Sequence, residues 1–315
     1  MRLNVVLLSI LIMSVSARAD EADKARVPKL VKQLKSDKVA ERRVAASELA
    51  RLGPDAKSAV ANLVEAMQKD ADAKVRAFAV YAIKQMGKDA KDQIPKLVGV
   101  LKTDKDEEVR CVAADTLGQF GPLAKEGIPV LTDALKDKEV GPHAAAALGK
   151  MGDDAKPAIP ALLDALHVSA TRSASAMALG EIGVASLPGL TKALKDANED
   201  VRVESVLALG IIGKPSVEAI ISAFADKEAD VRLNAVSVIG KIGVEAKAAI
   251  KPLGALLEKD RSPDVRIQAA QVLAKFGAEA EVVLAILEAA AKDKNEKVKD
   301  AAADALAEVK RKLKK

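Results

Sequence analysis

The chain has 315 residues, a net charge of +5 and an aromatic content of only 2%. A core with so few aromatic side chains must be built from Ala, Val, Leu and Ile, which favours closely packed helices over a β-sandwich. Acidic and basic residues alternate along the chain, and no basic stripe with interleaved aromatic residues occurs, which argues against a nucleic-acid partner.

The first residues have the three parts of a secretory signal peptide. A basic start at Arg2 precedes an apolar run over residues 3–15, and A-R-A at 17–19 fits the small-residue cleavage site. The run is shorter than the ~20 residues that a membrane span needs. We therefore expect a signal peptide over residues 1–19, export to the periplasm or the extracellular space, and a fall in net charge from +5 to +3.

One phrase recurs nine times along the rest of the chain. It reads V-R-x-x-A-A-x-x-L-G-x-x-G, and successive copies lie 30 to 34 residues apart. A period held over many copies indicates a repeat solenoid, in place of the two domains that length alone suggests. The Arg, or the residue in its place, stands at positions 42, 76, 110, 141, 172, 202, 232, 266 and 299.

Each copy predicts the second helix of an antiparallel pair. In one copy, Val201, Leu209 and Ile212 fall at helical spacing on one face, and the closing Gly213 fits a C-cap glycine, which can take a positive φ. A preceding segment such as 155–166, with Pro in its first turns, predicts the first helix. The fold class is therefore an all-α superhelix of about nine antiparallel helix pairs, each with helix A, a short turn and helix B.

The predicted solenoid runs from residue 20 to residue 315 as a single domain. Its last unit lacks the closing Gly and ends in a basic tail, which fits a capping repeat with a solvated outer face. The predicted units are about 22–53, 54–87, 88–121, 122–152, 153–183, 184–213, 214–243, 244–277 and 278–312.

These units resemble HEAT repeats, in particular the short HEAT-like type similar to that of phycobilisome lyase-related proteins. The resemblance covers about residues 22–312, and the motifs of tetratricopeptide and ankyrin repeats are missing from it. It implies that helix B lines the concave face. It also implies that the helix-B Arg pairs with an acidic residue of the turn between the helices, which forms a ladder along the stack.

The ladder interpretation gives the recurring Arg a structural role, with a catalytic or anion-binding row as the alternative. A guanidinium can hold a carboxylate through two hydrogen bonds, and acidic residues are favoured at a helix start. Asp70 and Asp104 stand six residues before Arg76 and Arg110. The predicted ladder residues are Arg76, Arg110, Arg202, Arg232 and Arg266, with Asp196, Asp200, Asp226, Asp230, Asp260 and Asp264.

The fourth unit departs from the pattern because Gly141-Pro142 replaces the Arg. We expect a local kink or a softer joint between the third and fifth units. His143 is either an ordinary surface residue or a binding group that replaces the Arg. Cys111 is the only cysteine, so it forms no internal disulfide. We expect it to be an ordinary half-buried residue that fills a small space.

No pattern in the chain predicts catalysis. The two histidines, His143 and His167, are not followed by Glu, whereas the metal-dependent hydroxylases built from HEAT-like repeats carry His-Glu pairs. The glycines follow helices at the repeat period, so they do not form a phosphate-binding loop. We expect no metal, no cofactor and no catalytic residue. The alternative is a bilin-lyase-like or other enzyme of the HEAT-like family.

The positions one, five and nine after each Arg form a stripe that the core does not use, and in the sixth unit this stripe is wholly apolar. A contiguous apolar patch with a polar rim, here Lys241 and Lys275, marks an interaction site. We expect a protein or peptide partner on it, unless neighbouring B helices cover the patch. A purely structural spacer in the cell envelope is a further alternative. The predicted partner-binding residues are Met177, Val203, Leu207, Ile211, Leu233 and Ile267.

Overall fold

The structure is a computed structural model that describes residues 24–314. The predicted signal peptide, residues 1–19, lies outside the described residues. The described chain divides into two compact units after Met151, directly behind the helix that carries Gly141 in place of the recurring Arg. All regular elements of residues 24–314 are helical.

The first unit contains four helix pairs, in which helix A has an odd number and helix B an even number. The helices are α1 (residues 24–33), α2 (Val39–Leu52), α3 (Val60–Lys69), α4 (Ala73–Met86), α5 (Ile94–Thr103), α6 (Glu107–Phe120), α7 (Ile128–Ala134) and α8 (Gly141–Met151). The helices α4, α6 and α8 each pack against their own A helix, and successive B helices from α2 to α8 pack against one another, so that the B helices form one layer.

The second unit contains five helix pairs with the same layering. Its last helix runs for 18 residues and has no closing Gly. The predicted all-α solenoid of helix pairs is confirmed in both units. The helices are α9 (Ile159–Ala165), α10 (Arg172–Ile182), α11 (Leu187–Ala193), α12 (Glu199–Ile212), α13 (Val217–Ser222), α14 (Ala229–Ile242), α15 (Ile250–Lys259), α16 (Pro263–Phe276), α17 (Leu284–Ala290) and α18 (Glu296–Leu313).

Helix starts follow from short polar side chains and from proline. Asp106 caps α6 by accepting hydrogen bonds from the Glu108 and Val109 amides, and Asn198 accepts one from the Asp200 amide at the start of α12. Such caps satisfy amides that have no partner within the helix. Several A helices, α5 among them, carry Pro at the first positions, where no amide hydrogen is needed.

The closing glycines stand at the ends of the B helices with the positive φ that was predicted for them. Gly53 has φ 53° and ψ −124°, and Gly213 has φ 79° and ψ −138°. The positive φ confirms the prediction, while the ψ angles lie far from the value near +47° of the left-handed helical region. At each of these glycines the B helix ends, and a 3₁₀ turn begins there or at the next residue. The turn, such as Gly53–Ala59, leads into the next A helix.

Small residues bring successive B helices into close contact. Ala113 and Ala114 of α6 are fully buried, and a Cβ built on Gly118 would lie 2.8 Å from the Ala147 Cα of α8. In the second unit, a Cβ on Gly210 would lie 2.6 Å from Val238 Cγ1. A side chain at these glycines would overlap its neighbour, so their absence of a Cβ sets how closely the B layer packs.

Candidate docking surface

The recurring Arg of a B helix holds a carboxylate of the following repeat. Arg76 donates from Nε to Asp104 Oδ2 at 2.7 Å and from Nη2 to Asp104 Oδ1 at 2.8 Å. Its Nη1 donates to the main-chain oxygen of Asp70, in its own turn, at 2.9 Å. The same arrangement recurs in Arg42–Asp70, Arg202–Asp226, Arg232–Asp260 and Arg266–Asp293.

Each rung is a buried or half-buried ion pair. The side chains of Arg76 and Asp104 are only 5% and 8% exposed. Burial acts to raise the pKa of Asp104, but the hydrogen bonds from Arg76 and from the Asp106 amide outweigh it and hold that pKa below its usual value. The Asp104 hydrogen bond raises the pKa of Arg76. Both groups therefore stay charged at neutral pH.

The carboxylates of four predicted ladder residues do not form the rungs described above. Asp230 and Asp264 are exposed in the first turns of α14 and α16, and among residues 24–314 neither forms an ion pair. Asp200 accepts from Arg172 Nη1 at 2.6 Å. Asp196 gives its main-chain oxygen to Arg202, while its carboxylate lies 3.0 Å from His167 Nε2.

Sequence reasoning missed five members of these ion pairs, and one of them is Arg172, the partner of Asp200. Asp137 accepts from Arg110 Nη2 at 2.9 Å, and Asp293 serves Arg266. Arg42 and His167 also take part, although neither was assigned to the ladder. The signal that could have found the carboxylates is their distance in sequence, since most lie 27 or 28 residues after their Arg. An offset close to the repeat length points to the next turn rather than to the same one.

The six predicted partner-binding residues lie together on the B layer of the second unit, and we call them the α12 patch. Met177 of α10 and Ile211 of α12 are 56% and 49% exposed. The remaining four are half-buried, so none of the six belongs to the buried core. The α12 patch consists of Met177, Val203, Leu207, Ile211, Leu233 and Ile267.

Neighbouring B helices cover the α12 patch only in part. Ile211 lies over Gly180 of α10, where a Cβ would come within 2.7 Å of the Ile211 Cβ, yet about half of the Ile211 side chain remains accessible. Lys241 and Lys275 are exposed near the C-terminal ends of α14 and α16. The patch is therefore an accessible apolar surface with a basic rim at one end of the helices.

The opposite end of the same helices forms an acidic cleft of about 340 Å³. Val203 lines this cleft and also belongs to the α12 patch, so the two features are continuous. Arg172 is the only basic side chain of the lining, and Ser173 donates a hydrogen bond to Glu204 Oε1. The polar side chains of the acidic cleft are Ser169, Arg172, Ser173, Glu199, Asp200, Glu204, Asp230 and Asn234.

A Cys, a His and an Asp also lie near one another in the first unit. His143 Nδ1 lies 2.9 Å from Asp115 Oδ1, and Cys111 Sγ lies 3.6 Å from the Glu139 carbonyl. Burial, with a contribution from Asp115, raises the pKa of the Cys111 thiol to about 11. A protonated thiol is a poor nucleophile, so this group has no activated cysteine.

Residues 24–314 contain neither a cluster of side chains suited to a metal ion nor a helix suited to cross a membrane. No group of three or more His, Cys, Asp and Glu side chains in this part of the chain is placed to hold a metal ion. No helix of this range has the length and apolar character required to cross a membrane.

These stacked helix pairs and their Arg–Asp rungs define an α-solenoid repeat protein. The family model for HEAT repeats matches residues 27–110, 94–171, 159–220 and 217–307, which together cover most of the chain. The chain belongs to the HEAT repeat family. No curated protein matches its sequence.

Solved structures with a similar fold include three karyopherins. Kap121p is 15% identical with a TM-score of 0.67, over 90% of this chain and 37% of that one. Importin beta is 14% identical with a TM-score of 0.64, over 93% and 48%. Yeast importin-beta, Kap95p, is 13% identical with a TM-score of 0.60, over 91% and 45%. The chain thus spans less than half the length of each, and the likeness concerns the fold alone.

Proposed function

We propose that this chain is an exported, non-catalytic scaffold that binds a protein or peptide partner on the B-helix face of its second unit. The observation that supports this proposal is the accessibility of the α12 patch. Six apolar side chains that the core does not use lie together there, and Met177 and Ile211 are about half exposed. Isolated exposed apolar residues are common, but a contiguous group with a charged rim is typical of an interaction site.

The chemistry of the α12 patch favours a partner with apolar side chains. Burying the remaining accessible surface of Leu207, Ile211 and Leu233 would contribute roughly 25 cal/mol per Å². A few such side chains at the centre of an interface usually supply most of the affinity. Lys241 and Lys275 would then contact polar or acidic groups at one edge of the partner.

The fold similarity is compatible with such a role. Kap121p has been solved bound to Nup53p and to the extreme C-terminus of the protein phosphatase Cdc14p. A solenoid of this fold can therefore hold segments of other proteins. The finer resemblance to phycobilisome lyase-related repeats, with its bilin-lyase-like alternative, stays a prediction, as does the alternative of an envelope spacer.

The test compares two matched double variants of the mature chain. Leu207→Glu with Leu233→Glu places carboxylates in the α12 patch, whereas Val244→Glu with Val282→Glu changes two apolar residues that are already 65% and 58% exposed on the 3₁₀ turns. Both variants should keep the helical content of the parent. The exported fraction of the native organism is passed over each immobilised protein, and captured proteins are identified by mass spectrometry.

A partner that is retained by the parent and by the Val244/Val282 variant, but lost with the Leu207/Leu233 variant, is the expected result. Equal capture by all three proteins would refute the α12 patch as the binding site. Capture by none of them would favour the spacer. Export is tested separately, by N-terminal sequencing of the protein from the native organism, which should begin at Asp20.

A further inference from the structure

The acidic cleft carries a negative charge that the protein itself does not balance. Four carboxylates and one guanidinium line it, a net charge of −3, and the Arg172 guanidinium is already paired with Asp200. Within residues 24–314, no Lys or Arg forms a salt bridge with Glu199, Glu204 or Asp230. The carboxylates of the rungs are each held by an Arg, whereas Glu199, Glu204 and Asp230 have no cationic partner in this part of the chain.

The cleft and the apolar surface form one continuous feature. Val203 borders both, and Leu207 follows it one helical turn along α12, a rise of about 6 Å. A bound segment can thus contact Leu207 with an apolar side chain while its next side chain reaches the carboxylates. The stem of Arg or Lys suits this position because its methylene groups pack on apolar surface while the charged head stays among polar groups.

We propose that the acidic cleft receives a basic side chain of the partner, so that the segment bound on the α12 patch has Arg or Lys next to its apolar anchors. This inference rests on the proposed function, since it specifies the chemistry of the partner for the same surface. An uncharged apolar segment would leave the negative charge of the cleft without a counter-charge. An acidic segment places like charges together, which costs affinity and slows association.

The charges around the α12 patch also give the bound segment a direction. The carboxylates stand at the N-terminal ends of α12 and α14, whereas Lys241 stands at the C-terminal end of α14. A segment that lies along the B helices therefore places its basic residue at the acidic end, and an acidic residue, where it has one, near Lys241.

The experiment selects peptides from a displayed random library on the full mature chain. Peptides that also bind the Leu207→Glu, Leu233→Glu variant are removed, which leaves those that require the α12 patch. The dissociation constants of the selected peptides are then measured by fluorescence anisotropy against two neutralised variants. One is Glu204→Gln with Asp230→Asn, in the cleft. The matched control is Glu245→Gln with Glu279→Gln, two exposed carboxylates on the 3₁₀ turns.

We expect selected peptides that are enriched in Arg or Lys beside apolar residues. The Glu204/Asp230 variant should weaken their binding about tenfold at low salt and much less at high salt, because screening removes the difference. The Glu245/Glu279 variant should bind as the parent does. Selected peptides with no basic residue, or equal binding by both neutralised variants, would overturn this inference and leave the proposed function standing. No peptide that distinguishes the parent from the Leu207/Leu233 variant would overturn both.

Discussion

Removal of one ladder guanidinium should cost far more where the rung is buried than where it is open. Arg76 and Arg110 occupy equivalent positions in consecutive repeats of the first unit. The Arg76 rung has two contacts to Asp104, and its side chains are 5% and 8% exposed. The Arg110 rung has a single contact to Asp137, and its side chains are 22% and 35% exposed.

The two substitutions to Ala differ in what they leave behind. Arg76→Ala leaves Asp104 buried without its cation and also releases two main-chain oxygens, a loss of about 3–5 kcal/mol in the free energy of unfolding. Arg110→Ala releases one main-chain oxygen, that of Asp104, and leaves a carboxylate that water can reach, so solvent screening reduces the loss to about 1 kcal/mol. Urea unfolding followed by circular dichroism measures both.

Two further measurements separate two causes of the loss in stability, namely the unpaired Asp104 carboxylate and the lost packing of the Arg76 side chain. Asp104→Asn in the Arg76→Ala background should recover part of the loss, because it removes the uncompensated buried charge. The pKa of Asp104 lies below its ordinary value of 3.8, so the stabilisation is complete above that value and is lost as pH falls through the folded pKa. Equal losses for Arg76→Ala and Arg110→Ala, or a difference that persists in strong acid, would refute this reasoning.

Three other outcomes follow from single residues. Gly118→Ala should destabilise the first unit by about 1–3 kcal/mol, since the added Cβ would meet the Ala147 backbone. Gly99→Ala should stabilise it by up to about 1 kcal/mol, because a Cβ there has nothing within 4 Å. Urea unfolding measures both changes. At pH 7.5 iodoacetamide should alkylate native Cys111 at least about tenfold more slowly than the unfolded chain, because its pKa is raised to about 11. The hydrogen bond to Asp196 is the main cause that raises the pKa of His167 above 6.5, so this pKa should fall in Asp196→Asn, as followed by NMR. The stabilisation from this pair is present at low pH and is lost as pH rises through the raised pKa.

The recurring phrase was sufficient to predict the fold because it encodes local and repeated structure. The apolar spacing within α12, the capping Asn198 and the closing Gly213 each act within one or two helical turns. Such signals can be read without knowing the three-dimensional arrangement. The ψ angle of the closing glycines could not be predicted in this way, because it depends on the 3₁₀ turn that each of them leads into.

The site was less predictable because it depends on contacts between repeats. The sequence places Asp70 and Asp104 at equivalent positions. It does not show that Arg76 binds the carboxylate of Asp104 but the main-chain oxygen of Asp70. The acidic cleft was not predicted at all. Its residues come from the starts of three helices, α10, α12 and α14, and alternating charges along the chain give no sign that carboxylates cluster in space.

The ladder has a consequence for changes in the length of the chain. In every rung with two hydrogen bonds, the donor is the recurring Arg and the acceptor is an Asp carboxylate. That carboxylate always belongs to the following repeat. Deletion of residues 43–76 would therefore place Arg42 where Arg76 now stands, still facing Asp104. Duplication of one period would add a rung of the same kind. The number of repeats can thus change by whole units during evolution without leaving a buried charge unpaired, provided that the break points keep the register of the Arg.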